Sequence, residues 1–388
     1  MSIRKDIIKK TSMLDAIYMV LLSIIFSVIS ILIFILIITL GGFGIDIFEL
    51  FESAVVNVLN NPKSILSIFY WATPLMLTGL AVAIAFQAGL FNIGGQGQML
   101  IGGVAAAIWA AALVPDISLF QNRIIMISTT IIIGFLAGGL WGFIPGYLKA
   151  KTGAHEVIVT IMMNLIAISF VTYLVGSQSY SPFVDSTSVD AYGQTDTISE
   201  YARVNLLIPN VSNTLNWTTI FTFIIVILIQ IILFYTRYGF KIRAVGFNPT
   251  ASKTAGINSD RIIMSSMFLS GGLAGLAGVF YVIGTAPYRY VSGFEGTLGF
   301  DGIAVALIAQ NSPIAIAFAA IFFGFLTEGK NSLDRTTDIP PDILFALQAF
   351  VIIFIAAPAI SKWVIDRLKI LKKGNEDAPT LEEENLNE

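Results

Sequence analysis

Apolar residues in this chain gather into long runs separated by short polar interruptions, from one end to the other. The runs lie at 17–40, 65–88, 97–114, 124–148, 157–176, 217–236, 262–286, 298–310, 313–328 and 343–361. A helix needs about 20 mostly apolar residues to cross a hydrocarbon slab about 30 Å thick. The pattern therefore predicts an all-α polytopic membrane protein of about ten transmembrane helices. The run at 298–310 is too short to span alone and reads as a half helix, or as part of a broken element with Pro313 at the break.

Charges set the expected orientation. With the N-terminus cytoplasmic, inner segments hold sixteen Lys and Arg, while outer segments hold six: Lys63, Arg123, Arg203, Arg289, Lys330 and Arg335. That is the positive-inside bias, and it puts both termini on the cytoplasmic side. Composition agrees: 56% of the 388 residues are hydrophobic and 12% charged, against about 25% charged in soluble domains. Mean hydropathy is +0.82. A net charge of −3, carried at segment ends and in one tail, points to no nucleic-acid surface. Cysteine is absent and His155 is the only histidine, which excludes disulfides, thiolate nucleophiles and multi-His metal sites; no cofactor is expected. The run at 17–40 exceeds the roughly 7 to 15 residues of a signal-peptide core and is expected to be a retained helix. Residues 1–373 are expected to form one transmembrane domain, and the acidic stretch 374–388 a disordered tail.

Between the runs, several segments carry information. Residues 46–60 put Ile47, Phe48, Phe51, Val55, Val58 and Leu59 on one helical face, so an amphipathic helix on the outer surface is expected within 41–64. Residues 177–216 form a long outer loop, either a docking site or a plain excursion. Gly134, Gly138, Gly142 and Gly146 make a smooth stripe at four-residue spacing, as do Gly271 and Gly275, and such stripes let helix backbones approach closely in lipid. Leu269-Ser-Gly-Gly-Leu273 looks like the signature loop of ABC ATPases, but it sits in an apolar run and the chain contains no G-x-x-x-x-G-K-[ST] phosphate loop.

The inner loop at 237–261 is the longest. Asn248 is placed to cap a short helix, Pro249 to open it and Gly256 to follow its end; so brief a helix gains stability by docking. Gly89-Leu-Phe-Asn-Ile-Gly-Gly-Gln-Gly-Gln98 is polar and glycine-rich between two apolar runs. It reads either as a broken helix lining a cavity or as a plain inner loop. Glu156, Thr160 and Asn164 share one helical face; they line a cavity, or Glu156 serves the helix dipole. Asp301 near the start of the short run has the same alternative.

These segments also carry a resemblance. Gly79-Leu-Ala-Val-Ala-Ile-Ala-Phe, Ala88-Gly-Leu-Phe-Asn-Ile-Gly-Gly-Gln-Gly-Gln98, Thr152-Gly-Ala-His-Glu-Val-Ile-Val-Thr-Ile-Met-Met-Asn164, Arg243-Ala-Val-Gly-Phe-Asn-Pro249, Ala255-Gly-Ile257 and Gly299-Phe-Asp-Gly-Ile-Ala-Val-Ala306 stand in order before Asn311-Ser-Pro313. Together they resemble the permease subunits of ABC importers grouped with ribose and branched-chain amino acid permeases, and most of all the nucleoside type. Gln87, His155 and Ala309-Gln310 depart from that pattern.

The resemblance implies a cell-membrane importer in which an extracellular lipoprotein delivers nucleoside to two permease subunits, the second often a different chain, and a cytoplasmic ABC ATPase drives transport. The candidate substrate residues are then Phe91, Asn92, Gln96, Gln98, Glu156, Thr160 and Asn164, with Phe91 offering a flat face to a base. The candidate ATPase-coupling residues are Arg243, Gly246, Asn248, Pro249, Ala255 and Gly256. The alternatives are a sugar permease of the same kind, or a single-chain secondary transporter, which would want the mid-span charged relay that this sequence hardly offers.

Overall fold

The computed structural model describes residues 48, 51–176, 180–185, 193–208 and 215–336. The expected spans at 17–40 and 343–361 and the tail at 374–388 lie outside these residues, as do parts of the 177–216 loop. Among the described residues the architecture is all-helical, with only two isolated bridges, Gln194↔Val291 and Leu206↔Asn216, in place of any strand.

Seven described helices are long and apolar enough to cross a membrane. They are α1 (Pro62–Gln87), α2 (Gly95–Ile108, prolonged by a π-turn at Trp109–Leu113), α3 (Arg123–Thr152), α4 (Glu156–Val175), α5 (Trp217–Tyr235), α8 (Ser259–Gly284) and α10 (Pro313–Thr336). Between α5 and α8 lie α6 (Arg237–Phe247) and α7 (Pro249–Thr254); α9 (Leu298–Ile308) precedes α10. Of the ten expected crossings, seven correspond to these helices and two fall outside the described residues. The tenth, at 298–310, is not a full crossing. Eleven helical residues rise only about 16 Å, and Gln310 and Asn311, both at positive φ, turn the chain into α10.

Local chemistry accounts for the helix ends. The Asn61 side chain accepts from Lys63 N–H at 3.0 Å with Pro62 at the first helical position, Asn122 accepts from Ile124 N–H at 3.0 Å, and Asn216 accepts from Thr218 N–H at 2.9 Å. At the end of α3, Gly153 adopts φ 73° beside Lys149 and Lys151, which suit the negative end of the helix.

Burial sorts the helices into an inner and an outer set. Of each helix's most apolar stretch, 83% is buried in α8 and 78% in α1, against 28% in both α3 and α4. The outward faces of α3, α4 and α5 show Leu140, Leu165, Tyr173, Ile227 and Leu228 to the surroundings, as lipid contact requires.

The two glycine stripes meet each other. A Cβ on Gly138 would stand 2.6 Å from the carbonyl oxygen of Gly271 and 2.7 Å from the Cα of Gly275, so α3 and α8 touch backbone to backbone. Gly102 of α2 presses on the same Gly275.

The expected amphipathic segment is helical where described, as a π-turn at Glu52–Val56 and one α-turn at Asn57–Asn60. It packs against α10: Val58 is fully buried and Ser332 Oγ donates to the Ser53 carbonyl at 2.8 Å, while Phe48 and Leu59 stay exposed.

Candidate functional site

The polar segment between α1 and α2 runs inside the bundle. Asn92 is 0% exposed, Gln98 1%, Gln96 5% and Asn164 4%, so their amides must find partners within the protein. Asn92 Nδ2 donates to Gln98 Oε1 at 2.8 Å and to Ser270 Oγ at 2.8 Å. In return Gln98 Nε2 donates to Asn92 Oδ1 at 3.1 Å, and Gly94 N–H donates to that same oxygen at 2.9 Å. Ser270 Oγ in turn donates to the Ala81 carbonyl at 2.6 Å. The break is thus stitched to α1, α2 and α8 by one closed set of hydrogen bonds.

Asn164, two turns into α4, clamps the same break from the other side. Its Nδ2 donates to the Ile93 carbonyl at 3.0 Å and its Oδ1 accepts from Gly97 N–H at 2.9 Å. Gln96 reaches the start of α9: it donates to the Gly296 carbonyl at 2.9 Å and accepts from Gly299 N–H at 2.9 Å. Thr78 adds a bond to the Leu298 carbonyl at 3.2 Å. The N-termini of α2 and α9 therefore meet within the bundle, joined by one glutamine.

Of the other sequence-derived candidates, Thr160 is buried and returns its hydroxyl to the Glu156 carbonyl at 2.8 Å. Glu156 pairs with Lys149 at 2.8 Å. The half-buried Phe91 packs against Phe86 with ring centroids 4.9 Å apart. Asp301 accepts from Thr297 Oγ1 at 2.7 Å in the first turn of α9.

The loop at 237–261 holds more helix than expected, since α6 precedes the short helix. Thr236 caps α6 by accepting from Gly239 N–H at 3.1 Å. Asn248 then caps α7 by accepting from Ala251 N–H at 3.0 Å, with Pro249 next and Gly256 at φ 83° beyond the end. Ser259 Oγ donates to the Pro249 carbonyl at 2.8 Å, tying α7 to the start of α8. Arg243 lays its guanidinium 5.0 Å from the centre of the Phe234 ring. Gly246 touches the break directly: a Cβ on Gly89 would lie 3.0 Å from the Gly246 carbonyl oxygen, and one on Gly246 would collide with the Gln87 carbonyl.

A part-open cavity of about 170 Å³ lies on the other side of the α2–α9 junction, where Leu298, Tyr70, Trp71, Phe280, Tyr281 and Phe294 bound it. None of these was singled out from the sequence. Aromatic residues near the ends of apolar runs ordinarily read as interfacial anchors, and the signal that separates these is Pro74 inside α1 beside Tyr70-Trp71. Beyond it, Arg289 pairs with Asp185 at 2.5 Å and donates to Thr197 at 2.8 Å, fastening the described part of the 177–216 segment to the α8–α9 connection.

A half-length helix, an irregular segment buried among spanning helices and a capped helical loop pressed on that segment define a multi-pass membrane permease. Residues 64–356 match the family model for the permease component of branched-chain amino acid transport systems, and the chain belongs to that family. It is 38% identical to the nucleoside ABC transporter permease protein NupB of Lactococcus lactis subsp. cremoris, across 85% of this chain and 89% of the relative. It is 38% identical to the guanosine ABC transporter permease protein NupP of Bacillus subtilis, across 78% and 83%. The glucose ABC transporter permease protein TsgB13 of Haloferax volcanii is 26% identical across 88% of each. No solved structure matches the chain at a significant level.

Proposed function

We propose that this chain is a permease subunit of an ABC importer that takes up nucleosides. The observation that carries the mechanism is the backbone contact between Gly246 and Gly89. A force applied to α7 and α6 reaches the α1–α2 break with no side chain between them. α7 is too short to hold itself, and all of it but Ser252 is exposed, which leaves it open to a partner that in this reading is a cytoplasmic ABC ATPase. Arg243, Gly246, Asn248, Pro249, Ala255 and Gly256 then form the coupling element. Phe91, Asn92, Gln96, Gln98, Glu156, Thr160 and Asn164 shape the break through which the solute passes.

Nucleoside is the substrate favoured by the relatives of higher identity, both of them nucleoside or guanosine permeases; glucose is the alternative, from the more distant one. An extracellular binding lipoprotein and a second permease subunit complete the machine, with α6 and α7 on the cytoplasmic side.

The test is uptake by proteoliposomes holding the complete importer. ATP-dependent accumulation of labelled guanosine, indifferent to ionophores, is expected. Accumulation without ATP that collapses with an ion gradient would make the chain a secondary transporter, and ATP-driven uptake of glucose alone would make it a sugar permease.

A further inference from the structure

The outer cavity has a composition that the proposed function does not yet use. Four elements build it: Tyr70, Trp71 and Pro74 from α1, Thr218 from α5, Phe280 and Tyr281 from α8, and Leu298 from α9, with Phe294 of the α8–α9 connection closing one side. Tyr281 and Phe294 lie stacked, with centroids 4.2 Å apart and planes 21° from parallel. Tyr70 and Trp71 stand edge to face at 5.1 Å. Among the described residues no charged side chain lines the space.

These facts select a ligand class. A charged solute such as a zwitterionic amino acid would lose its hydration here with no opposite charge in return. A hexose needs many hydrogen-bonding groups, but the threonine hydroxyls here are engaged: Thr285 donates to Tyr70 at 3.2 Å, Thr73 bonds Thr219 at 2.9 Å, and Thr218 bonds Asn216. A neutral planar heterocycle fits, because five aromatic side chains bound the space and stacking on aromatic rings serves every base. Size agrees, since apolar cavities of about 150 Å³ take up benzene. A base can enter while its ribose stays at the open side. Two polar features remain for its edge: the Tyr281 hydroxyl, which makes no hydrogen bond among the described residues, and the Tyr70 carbonyl, which Pro74 deprives of its N–H partner four residues on.

We infer that this cavity receives the base of an incoming nucleoside, with Tyr281 and Phe294 as its stacking wall and Trp71 at its rim. The inference rests on the nucleoside reading. It makes Gln96, which holds the start of α9 below Leu298, a positioning residue for the cavity floor.

The complete importer in proteoliposomes tests it, with labelled guanosine and labelled glucose as probes. Tyr281→Leu and Phe294→Leu are each expected to raise the KM for guanosine by about tenfold or more, the scale of one lost stacking partner. Tyr281→Phe should restore most of the affinity. Photolabelling of the wild-type complex with 8-azidoguanosine, competed by guanosine, is expected to mark peptides within 70–74 or 277–298, and this readout needs no variant to fold. An unchanged KM in both assembled leucine variants, or label confined to 89–98, overturns the inference while nucleoside transport stands. A wild-type complex that carries glucose and no guanosine overturns the functional reading and this inference with it.

Discussion

Gly246 of α6 and Gly89 of the α1–α2 break meet through their main chains, with room for no side chain on either. Gly89 also sits at φ 75°, so glycine is required there for its conformation as well as its size. Gly246→Val should therefore push α6 off the break while the spanning helices stay packed. Uptake should fall by about tenfold or more, the effect of about 1.4 kcal/mol lost from coupling, with the ATPase still co-purifying on tagged permease. Normal uptake by an assembled Gly246→Val complex would show that this contact transmits nothing.

Asn92 and Gln98 exchange two hydrogen bonds at full burial. Truncating either one strands the other, at a cost of about 1–3 kcal/mol. Asn92→Leu and Gln98→Leu should each lower the melting temperature of the purified protein. The double variant should lose less than the sum, with a coupling of about 0.5–3 kcal/mol. Additive losses would mean that the pair does not act as a unit.

The α3–α8 contact makes a sharper steric prediction. Gly138→Leu must displace the Gly271 carbonyl, whereas Leu140→Ala changes a side chain that faces outward and is 60% exposed. The first should abolish or strongly reduce the folded yield, while the second should stay within about 0.5 kcal/mol of the parent. Comparable yields of the two would refute the close packing of these helices.

Orientation can be read with single cysteines, because the chain has none of its own. Ser252 is a poor site, being buried, but the Lys253 side chain is 64% exposed on α7 and Glu200 is exposed in the turn Glu200–Ala202 of the 177–216 loop. An impermeant maleimide outside intact cells should label Glu200→Cys and spare Lys253→Cys. The reverse pattern would invert the proposed topology.

Much of this architecture is written locally, and local features are what a sequence displays. The span limits, the Asn248 cap with Pro249 and Gly256, and both glycine stripes follow from spacing within one helix or loop. What is not local was not legible. Periodicity puts Asn164 on a polar face, but not that its amide would be spent on Ile93 and Gly97, about seventy positions away. The polar break could equally have been a surface loop until burial of Asn92 and Gln98 decided it. The aromatic cavity joins Tyr70 to Tyr281 across more than half of the chain, and neither residue breaks the apolar pattern around it. α6 was missed because Gly239 and three basic residues dilute its helical signal.

The brevity of α9 has an electrical consequence. Where a full helix would insulate the whole slab, the eleven residues of α9 cover only about half of it. Membrane voltage falls across whatever low-dielectric layer remains, at about 2.3 kcal/mol per charge for each 100 mV. At Gly296 and Gly299 the barrier rests on the two hydrogen bonds of Gln96 rather than on a continuous helix. Parting that glutamine clasp is therefore expected to raise ion leakage through the subunit.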